Sequence, residues 1–211
     1  MKLIFIHGAG GSHLNWLLIT RELKQFHVIN FDFPTLESIE EYENFYGKFI
    51  DQESIIIAHS MGGAIGYYLS IVNNYIKSLV LVNSAIFEKF NVELEKEKIC
   101  ERLYFSKELV EDCKKRNYLI FKNFQTLQKH IEILNKFDAF FYLEKFRERK
   151  IPAFHIIGKS DKVVSFEVLK KTSNLLSVKK NYIIENCGHM PHIEKPKEFL
   201  HALKDILINL T

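Results

Sequence analysis

Residues 54–72 read SIIIAHSMGGAIGYYLSIV, and this stretch decides how the rest of the chain is interpreted. The apolar run SIIIAH is typical of a buried strand, and the small-residue turn after it leads into a helix-length segment. The hydroxyl of a serine at such a turn lies exposed at the carboxyl end of a parallel sheet, where α/β proteins have their ligand-binding and active sites. Ser60 is therefore a candidate nucleophile, provided that Ala58 and Gly62 are small enough for a tight turn. The same string also fits a buried serine at a glycine-rich turn without a catalytic role.

The rest of the chain alternates short, nearly continuous apolar runs with helix-length segments. Such runs are expected of parallel strands that are covered on both faces, so the sequence predicts an α/β domain with a mostly parallel sheet flanked by helices. The predicted strands are 2–6, 27–31, 54–59, 77–83, 152–157 and 181–185, and the predicted core helices are 16–26, 38–50, 62–72, 166–176 and 196–210.

Residues 86–149 break this alternation, because they show helical periodicity and many aromatic residues but no convincing strand. We therefore expect a core formed by residues 1–85 and 150–211, with residues 86–149 inserted as a helical cap. The aromatic side chains of the cap are expected to pack mainly within it and against the sheet, with a role in lining a substrate pocket as the alternative.

Composition and charge restrict the kinds of protein that this sequence encodes. The chain has 211 residues, a net charge of +3 and no concentrated basic stripe, which argues against nucleic acid as a partner. The apolar stretch before His7 is too short for a signal peptide, and no segment reaches the ~20 apolar residues that span a bilayer, so stable membrane insertion is not expected. Three cysteines at unrelated spacings, Cys100, Cys113 and Cys187, predict reduced thiols in a cytoplasmic protein. The oligomeric state stays open.

A glycine-rich loop, HGAGGS at residues 7–12, directly follows the first predicted strand. In folds of this kind, the loop after an early strand supplies one backbone donor to an oxyanion, so the N–H of Ala9 or Gly10 is the candidate, with the Met61 N–H as the second donor. The loop matches neither G-x-x-x-x-G-K-[ST] nor G-x-G-x-x-G, which argues against a phosphate-binding loop. His7 is expected to anchor the loop by hydrogen bonds.

Two further candidates, Asp161 and His189, each follow a later predicted strand. A carboxylate past a strand end can hold a histidine in one tautomer, and an imidazole in a loop can reach back over the sheet as a general base. His192 lies three residues beyond His189, but the intervening Pro191 argues against a shared helical face and hence against a zinc site. Cys187 is expected to be a small buried residue. The sequence predicts neither a metal nor a cofactor.

In chain order, the serine, the aspartate and the histidine each follow a strand, and in this the sequence resembles the α/β-hydrolases. Four segments resemble motifs of the small bacterial esterase/lipase-like members with a helical cap. HGAGGSHLNW resembles their oxyanion segment and AHSMGG their nucleophile elbow, while IPAFHIIGKSDKVV resembles their acid loop and CGHMPHIEKP their histidine loop. The resemblance implies an α/β-hydrolase fold with about six strands in the order 2-1-3-4-5-6. It implies Ser60 as nucleophile, His189 as base and Asp161 as its orienting acid, with Ala9 and Met61 as backbone oxyanion donors.

The activity implied by this resemblance is that of a cofactor-free serine hydrolase. Its substrates would be carboxylic esters or thioesters of small to medium apolar molecules, cleaved through an acyl-enzyme. Carbon–carbon bond hydrolysis, lyase chemistry and non-catalytic ligand binding on the same scaffold stay open as alternatives. The chain departs from the family pattern in three places. Ala58 stands where glycine is usual, and the sequence opens on the strand before His7, whereas the family usually has two strands before it. The stretch FDFPTLESIEEY (31–42) stands where the family has a glycine-rich stretch at the pocket rim.

Overall fold

The structure, a computed structural model, describes residues 1–90, 95, 98–115 and 124–210. Six parallel strands form one sheet in the order β2-β1-β3-β4-β5-β6. This confirms both the predicted fold class and the predicted sheet order. The strands are β1 Lys2–Ile6, β2 His27–Asn30, β3 Ser54–His59, β4 Ile76–Val82, β5 Ala153–Gly158 and β6 Lys180–Ile184.

The apolar runs form strands because helices cover both faces of the sheet. Along β1, Ile4 and Ile6 point into one core layer, whereas Leu3 and Phe5 point into the other. Every residue of the central strand β3 is buried, while the two edge strands, β2 and β6, are partly exposed. Continuous hydrophobicity thus reflects burial on two sides, as parallel sheets require.

Helices lie on both faces of the sheet and in the described part of the segment between β4 and β5. Helix α3 packs against β3 and β4, and α10 packs against β5 and β6. The α-helices among the described residues are α1 Leu17–Thr20, α2 Tyr42–Tyr46, α3 Met61–Val72, α4 Ile99–Leu103, α5 Lys107–Lys115, α6 Phe124–Lys136, α7 Leu143–Arg149, α8 Phe166–Leu175, α9 Pro191–Glu194 and α10 Pro196–Ile208.

The first two predicted helices are shorter in the structure than expected. The stretch 16–26 contains only the four-residue α1, which follows a 3-10 turn at His13–Trp16. Its apolar spacing reflects burial all the same, because Trp16, Ile19 and Leu23 are all fully buried. In 38–50, α2 gives way to a 3-10 turn that begins at Gly47, a residue that weakens helices.

The segment between β4 and β5, residues 83–152, contains helices α4 to α7 and no strand in its described part. Residues of α4, α5 and α6, among them Leu103 and Leu127, form an apolar cluster with Met190, which lies after β6. Phe146 of α7 instead joins the core on the face that carries α3. The assignment of 86–149 as a cap domain stays a prediction, and its residues 91–94, 96, 97 and 116–123 lie outside the described residues.

A disulfide joins Cys100 of α4 to Cys113 of α5. The prediction of reduced thiols is therefore wrong for these two residues. Their spacing in the sequence gave no sign of the pair, because the pairing depends on α5 folding back beside α4, which brings the two Cα atoms to 5.8 Å. Cys187 is the free cysteine; it is buried as expected, and this burial raises the pKa of its thiol. In the described part of the chain, no helix is long and apolar enough to cross a membrane.

Candidate active site

Ser60 lies at the junction of β3 and α3 in a backbone conformation that few side chains adopt. Its φ is 52° and its ψ is −122°, so the residue lies outside the main allowed regions for non-glycine residues. Hydrogen bonds on both sides hold this conformation: the Ser60 N–H donates to the Val82 carbonyl at 3.0 Å, and the Ser84 hydroxyl donates to the Ser60 carbonyl at 2.7 Å. Such strain persists only where the surroundings enforce it, and it is concentrated at functional sites.

Small residues on both sides of Ser60 allow the turn to be tight. A Cβ added to Gly62 would lie 2.6 Å from the His7 carbonyl oxygen, so α3 begins almost in contact with the end of β1. The extra methyl group of Ala58 is accommodated because Gly66 faces it from α3. A Cβ at position 66 would lie only 3.1 Å from that of Ala58. The departure from the glycine pattern at position 58 is therefore offset by a glycine one turn into the helix.

Asp161 and His189 meet in a buried hydrogen bond at the carboxyl edge of the sheet. The His189 Nδ1 lies 2.7 Å from Asp161 Oδ2, and the other carboxylate oxygen accepts the N–H groups of Val163 at 2.7 Å and Val164 at 3.0 Å. Because a carboxylate only accepts, Nδ1 carries the imidazole proton and Nε2 is left with its lone pair. The Asp161 contact therefore fixes the tautomer of the His189 ring, with an unprotonated Nε2.

Asn83, which the sequence analysis did not single out, is the buried centre of this network. Its side-chain N–H groups donate to Asp161 Oδ2 at 2.8 Å and to the Gly188 carbonyl at 3.0 Å. Its side-chain oxygen accepts the Gly158 N–H at 2.7 Å, and its φ is 42°. Asn83 thus joins the end of β5, Asp161 and the loop that carries His189 by hydrogen bonds. The available signal was its place directly after β4, at the edge where the other candidates lie.

Two other histidines pack behind His189. The His59 Nε2 donates to the His189 carbonyl at 2.8 Å, and burial lowers the pKa of His59 well below its usual range. His192 stacks on Trp16 with ring centres 4.1 Å apart, and burial lowers its pKa to about 3. His192 therefore packs in the core, and His189 binds Asp161. Among the described residues, no group of three or more His, Cys, Asp or Glu side chains could hold a metal ion.

The glycine loop at residues 7–12 is the predicted oxyanion loop and is called by that name below; its backbone N–H groups have different partners. The Gly11 N–H donates to the Gly8 carbonyl at 3.1 Å, and the Gly10 N–H donates to His130 Nδ1 of α6 at 3.1 Å. The N–H groups of Ala9 and Met61 have no protein acceptor among the described residues. These two donors are the ones that the sequence analysis named, with Gly10 as the alternative in the loop.

A cavity of about 120 Å³ brings the predicted residues together, because Ser60, His189, Ala9 and Met61 all line it. Asp161 lies behind His189, away from the cavity wall. No hydrogen bond joins the Ser60 hydroxyl to the His189 ring in this part of the structure; such contacts are often long before substrate binds. The walls are largely apolar, and the β4–β5 segment contributes Phe90, Ile99, Leu103, Leu127, Ile131 and Leu134.

The β4–β5 segment is also fastened to the histidine loop, through contacts that the sequence did not reveal. The His189 N–H donates to the Leu103 carbonyl at 2.8 Å. The carboxylate of Glu194 accepts the N–H groups of Phe105 at 2.7 Å and Gly188 at 2.6 Å. The residues that end α4 therefore help to position the loop that carries His189.

Comparisons with known proteins agree with this architecture. The model of a family described as the alpha/beta hydrolase family matches residues 3–202. A Mycoplasma pneumoniae protein named "Putative esterase/lipase 2" is 28% identical, with 98% of this chain and 89% of that protein covered.

Solved structures share the fold at low sequence identity. A lipase-esterase related protein from Clostridium acetobutylicum matches with a TM-score of 0.81 at 17% identity, covering 97% of this chain and 93% of that one. A thermophilic esterase from Thermogutta terrifontis matches with a TM-score of 0.79 at 14% identity, covering 100% of this chain and 90% of that one.

Proposed function

The chain belongs to the alpha/beta hydrolase family, and from that premise we propose that it is a serine hydrolase of carboxylic esters with small to medium apolar groups. The observation that carries the proposal is the arrangement in one cavity of Ser60, on its strained turn, with His189, whose ring is held by Asp161. The esterase/lipase name of the Mycoplasma pneumoniae relative supports the same class of substrate.

In the proposed reaction, the Ser60 hydroxyl attacks the ester carbonyl while His189 Nε2 takes its proton. Asp161 keeps the proton on Nδ1 and stabilises the imidazolium that forms. The N–H groups of Ala9 and Met61 would bind the oxyanion of the tetrahedral intermediate, and a donor of this kind typically contributes about 3 kcal/mol. His189 then protonates the departing alcohol, and the same base activates water to release the acid from the acyl-enzyme.

The dimensions of the cavity favour a short acyl group. Apolar cavities of about 150 Å³ accept a benzene-sized molecule, so a cavity of about 120 Å³ fits an acyl chain of about four to six carbons. We propose that residues 86–149 act as the cap that forms this acyl wall, because Phe90 and helices α4 and α6 supply six of the ten apolar side chains that line the cavity. A p-nitrophenyl butyrate is therefore the expected substrate among chromogenic esters, and a laurate should be a poor one.

The cytoplasmic location stays a prediction, and the Cys100–Cys113 disulfide argues against it. Disulfides persist mainly in oxidising compartments and are rare in the cytosol. Trapping of free thiols in intact cells, followed by mass spectrometry, would separate the two possibilities. Full labelling of both cysteines would favour a reducing compartment, and blocked cysteines would favour an oxidising one.

The test is a panel of p-nitrophenyl esters from acetate to laurate, with the wild type, Ser60→Ala and Ser38→Ala. Ser38 lies in the loop before α2 and does not line the cavity, so its variant is the matched control. We expect Ser60→Ala to lower kcat/KM by at least about a thousandfold, because the nucleophile is lost, and Ser38→Ala to match the wild type. If wild type and Ser60→Ala hydrolyse every ester equally slowly, the proposed function is wrong.

Labelling with a fluorophosphonate, which reacts with an activated serine, separates the proposed serine hydrolase from a binding module and from other chemistry on the same scaffold. A folded protein that takes up no label would favour a non-catalytic binding module. A protein that is labelled at Ser60 but turns over no simple ester would favour carbon–carbon hydrolase or lyase chemistry at the same nucleophile.

A further inference from the structure

We propose that His130 is a positioning residue, which turns the oxyanion loop so that the Ala9 N–H faces the substrate. His130 lies on α6, which belongs to the β4–β5 segment, and its side chain is buried. It accepts the Gly10 N–H at 3.1 Å through Nδ1, while its Nε2 lies 3.0 Å from the Thr35 hydroxyl oxygen. The inference rests on the proposed function, since it concerns the second donor of that oxyanion hole.

The protonation state of the His130 ring follows from these two contacts. Because Nδ1 accepts a backbone N–H, it carries no proton, and the proton is on Nε2, which donates to Thr35. Burial lowers the pKa of His130 to about 4, so the ring stays neutral and able to accept at ordinary pH. The ring of Phe33 lies beside it, with ring centres 5.3 Å apart, and limits its movement.

The Gly10 hydrogen bond matters because a peptide unit is planar. Fixing the direction of the Gly10 N–H also fixes the Ala9 carbonyl, since both belong to the same peptide plane. The Ala9 N–H belongs to the preceding plane, together with the Gly8 carbonyl, and that plane is joined to the first at the Ala9 Cα. Gly10 itself has a φ of 65°, and the turn closes with the Gly11 N–H on the Gly8 carbonyl. The bonds of Gly10 and Gly11 therefore hold both peptide planes next to Ala9, whose own N–H has no acceptor among the described residues and lies at the cavity.

Helix α6 therefore contacts the site in two ways. Leu127, Ile131 and Leu134 line the acyl part of the cavity, while His130, on the same helix, holds the oxyanion loop. A displacement of α6 would change both the acyl wall and the direction of the Ala9 N–H. An interaction with the oxyanion is made in the transition state and not in the bound ester, so its loss should lower kcat and leave KM nearly unchanged.

The chain offers a graded set of variants. His130→Asn places a carbonyl oxygen near the position of Nδ1 and should keep the acceptor for Gly10, whereas His130→Gln reaches toward Thr35 and His130→Leu removes both contacts. Thr35→Val is the matched control, because it removes the outer partner of the ring and leaves the Gly10 bond in place. Circular dichroism and urea unfolding identify any variant that does not fold.

With p-nitrophenyl butyrate, we expect His130→Leu and His130→Gln to lower kcat about tenfold or more with KM within about threefold of the wild type. His130→Asn and Thr35→Val should keep kcat within about threefold. Independently of turnover, the Gly10 amide hydrogen should exchange faster with solvent in His130→Leu than in the wild type or His130→Asn.

Two outcomes would overturn the inference while leaving the proposed function intact. The first is an active wild type with a folded His130→Leu of unchanged kcat; the second is a His130→Asn that loses as much kcat as His130→Leu. A wild type that neither turns over esters nor takes up a fluorophosphonate at Ser60 would instead refute the proposed function, and the inference with it.

Discussion

Acidification from pH 7 to pH 5 should strongly destabilise this protein, because four buried histidines remain neutral in the fold. Burial lowers the pKa of His130 to about 4, that of His155 and His192 to about 3, and that of His59 well below its usual range. In the unfolded chain each imidazole has a pKa of about 6.5. Between about pH 4 and 6.5 the unfolded state therefore binds more protons than the folded state.

The sign and size of the effect follow from this difference. A folded pKa below the unfolded one gives stability that is complete above about pH 6.5 and falls as the pH decreases through that value. At pH 5, about 1.5 units below the unfolded pKa, His130, His155 and His192 each cost about 2 kcal/mol, so the three together cost about 6 kcal/mol, and His59 acts in the same direction. That sum lies within the 5–15 kcal/mol stability of an ordinary domain, so acidification to pH 5 should remove a large part of the protein's stability.

The assay is urea unfolding at pH 7, 6 and 5, followed by far-ultraviolet circular dichroism. The free energy of unfolding should fall by several kcal/mol between pH 7 and pH 5, with most of the loss below pH 6.5. A loss of less than about 2 kcal/mol would refute the reasoning, because it would mean that these rings take up protons without unfolding.

His192→Phe is the matched control for this prediction. The His192 nitrogens have no hydrogen-bond partner among the described residues, and its ring stacks on Trp16, so phenylalanine should keep the packing and remove one titrating group. The variant should lose about 2 kcal/mol less than the wild type between pH 7 and pH 5. An unchanged pH dependence would show that His192 is not one of the groups responsible.

Three further predictions concern positions outside the predicted triad and oxyanion donors. Asn83→Leu should lower kcat at least tenfold and stability by about 2 kcal/mol, because it takes a hydrogen bond from Asp161 and leaves buried backbone groups unpaired; a variant with wild-type kcat in the ester assay would contradict this. Gly62→Ala should lower Tm by several degrees, because its Cβ would lie 2.6 and 2.7 Å from two backbone carbonyl oxygens at the end of β1, and an unchanged melting curve would count against the described turn. Cys100→Ser should lower the free energy of unfolding in urea by about 3 kcal/mol, to that of the reduced wild type, because it removes the disulfide that closes the loop between positions 100 and 113. Equal stability of the oxidised and reduced wild type would contradict a stabilising role of the disulfide.

Much of the fold could be predicted because the local signals agree with one another. Strands that are covered on both faces must be apolar at every position, so each strand lies within a residue or so of the predicted bounds. The candidate residues Ser60, Asp161 and His189 each follow a strand, and the carboxyl ends of parallel strands meet at one edge of the sheet. Their proximity thus follows from topology alone.

The remaining features depend on contacts between distant parts of the chain. His130 is an ordinary helix residue in the sequence, and its bond to Gly10, 120 positions away, exists only because α6 lies over the first loop. The Cys100–Cys113 disulfide depends on how two short helices fold back on each other. Ala58 was recognised as a departure from the pattern, but its accommodation opposite Gly66 required the packed helix.

The most direct test of the account is to label the folded protein with a fluorophosphonate and to map the adduct by peptide mass spectrometry. The account predicts one adduct per chain, on Ser60, with no adduct in Ser60→Ala and labelling at least a hundredfold slower in His189→Gln, because the base that activates the hydroxyl is lost. A folded wild type that takes up no label, or takes it up on another residue at the same rate in Ser60→Ala, would contradict the assignment of Ser60 as the nucleophile.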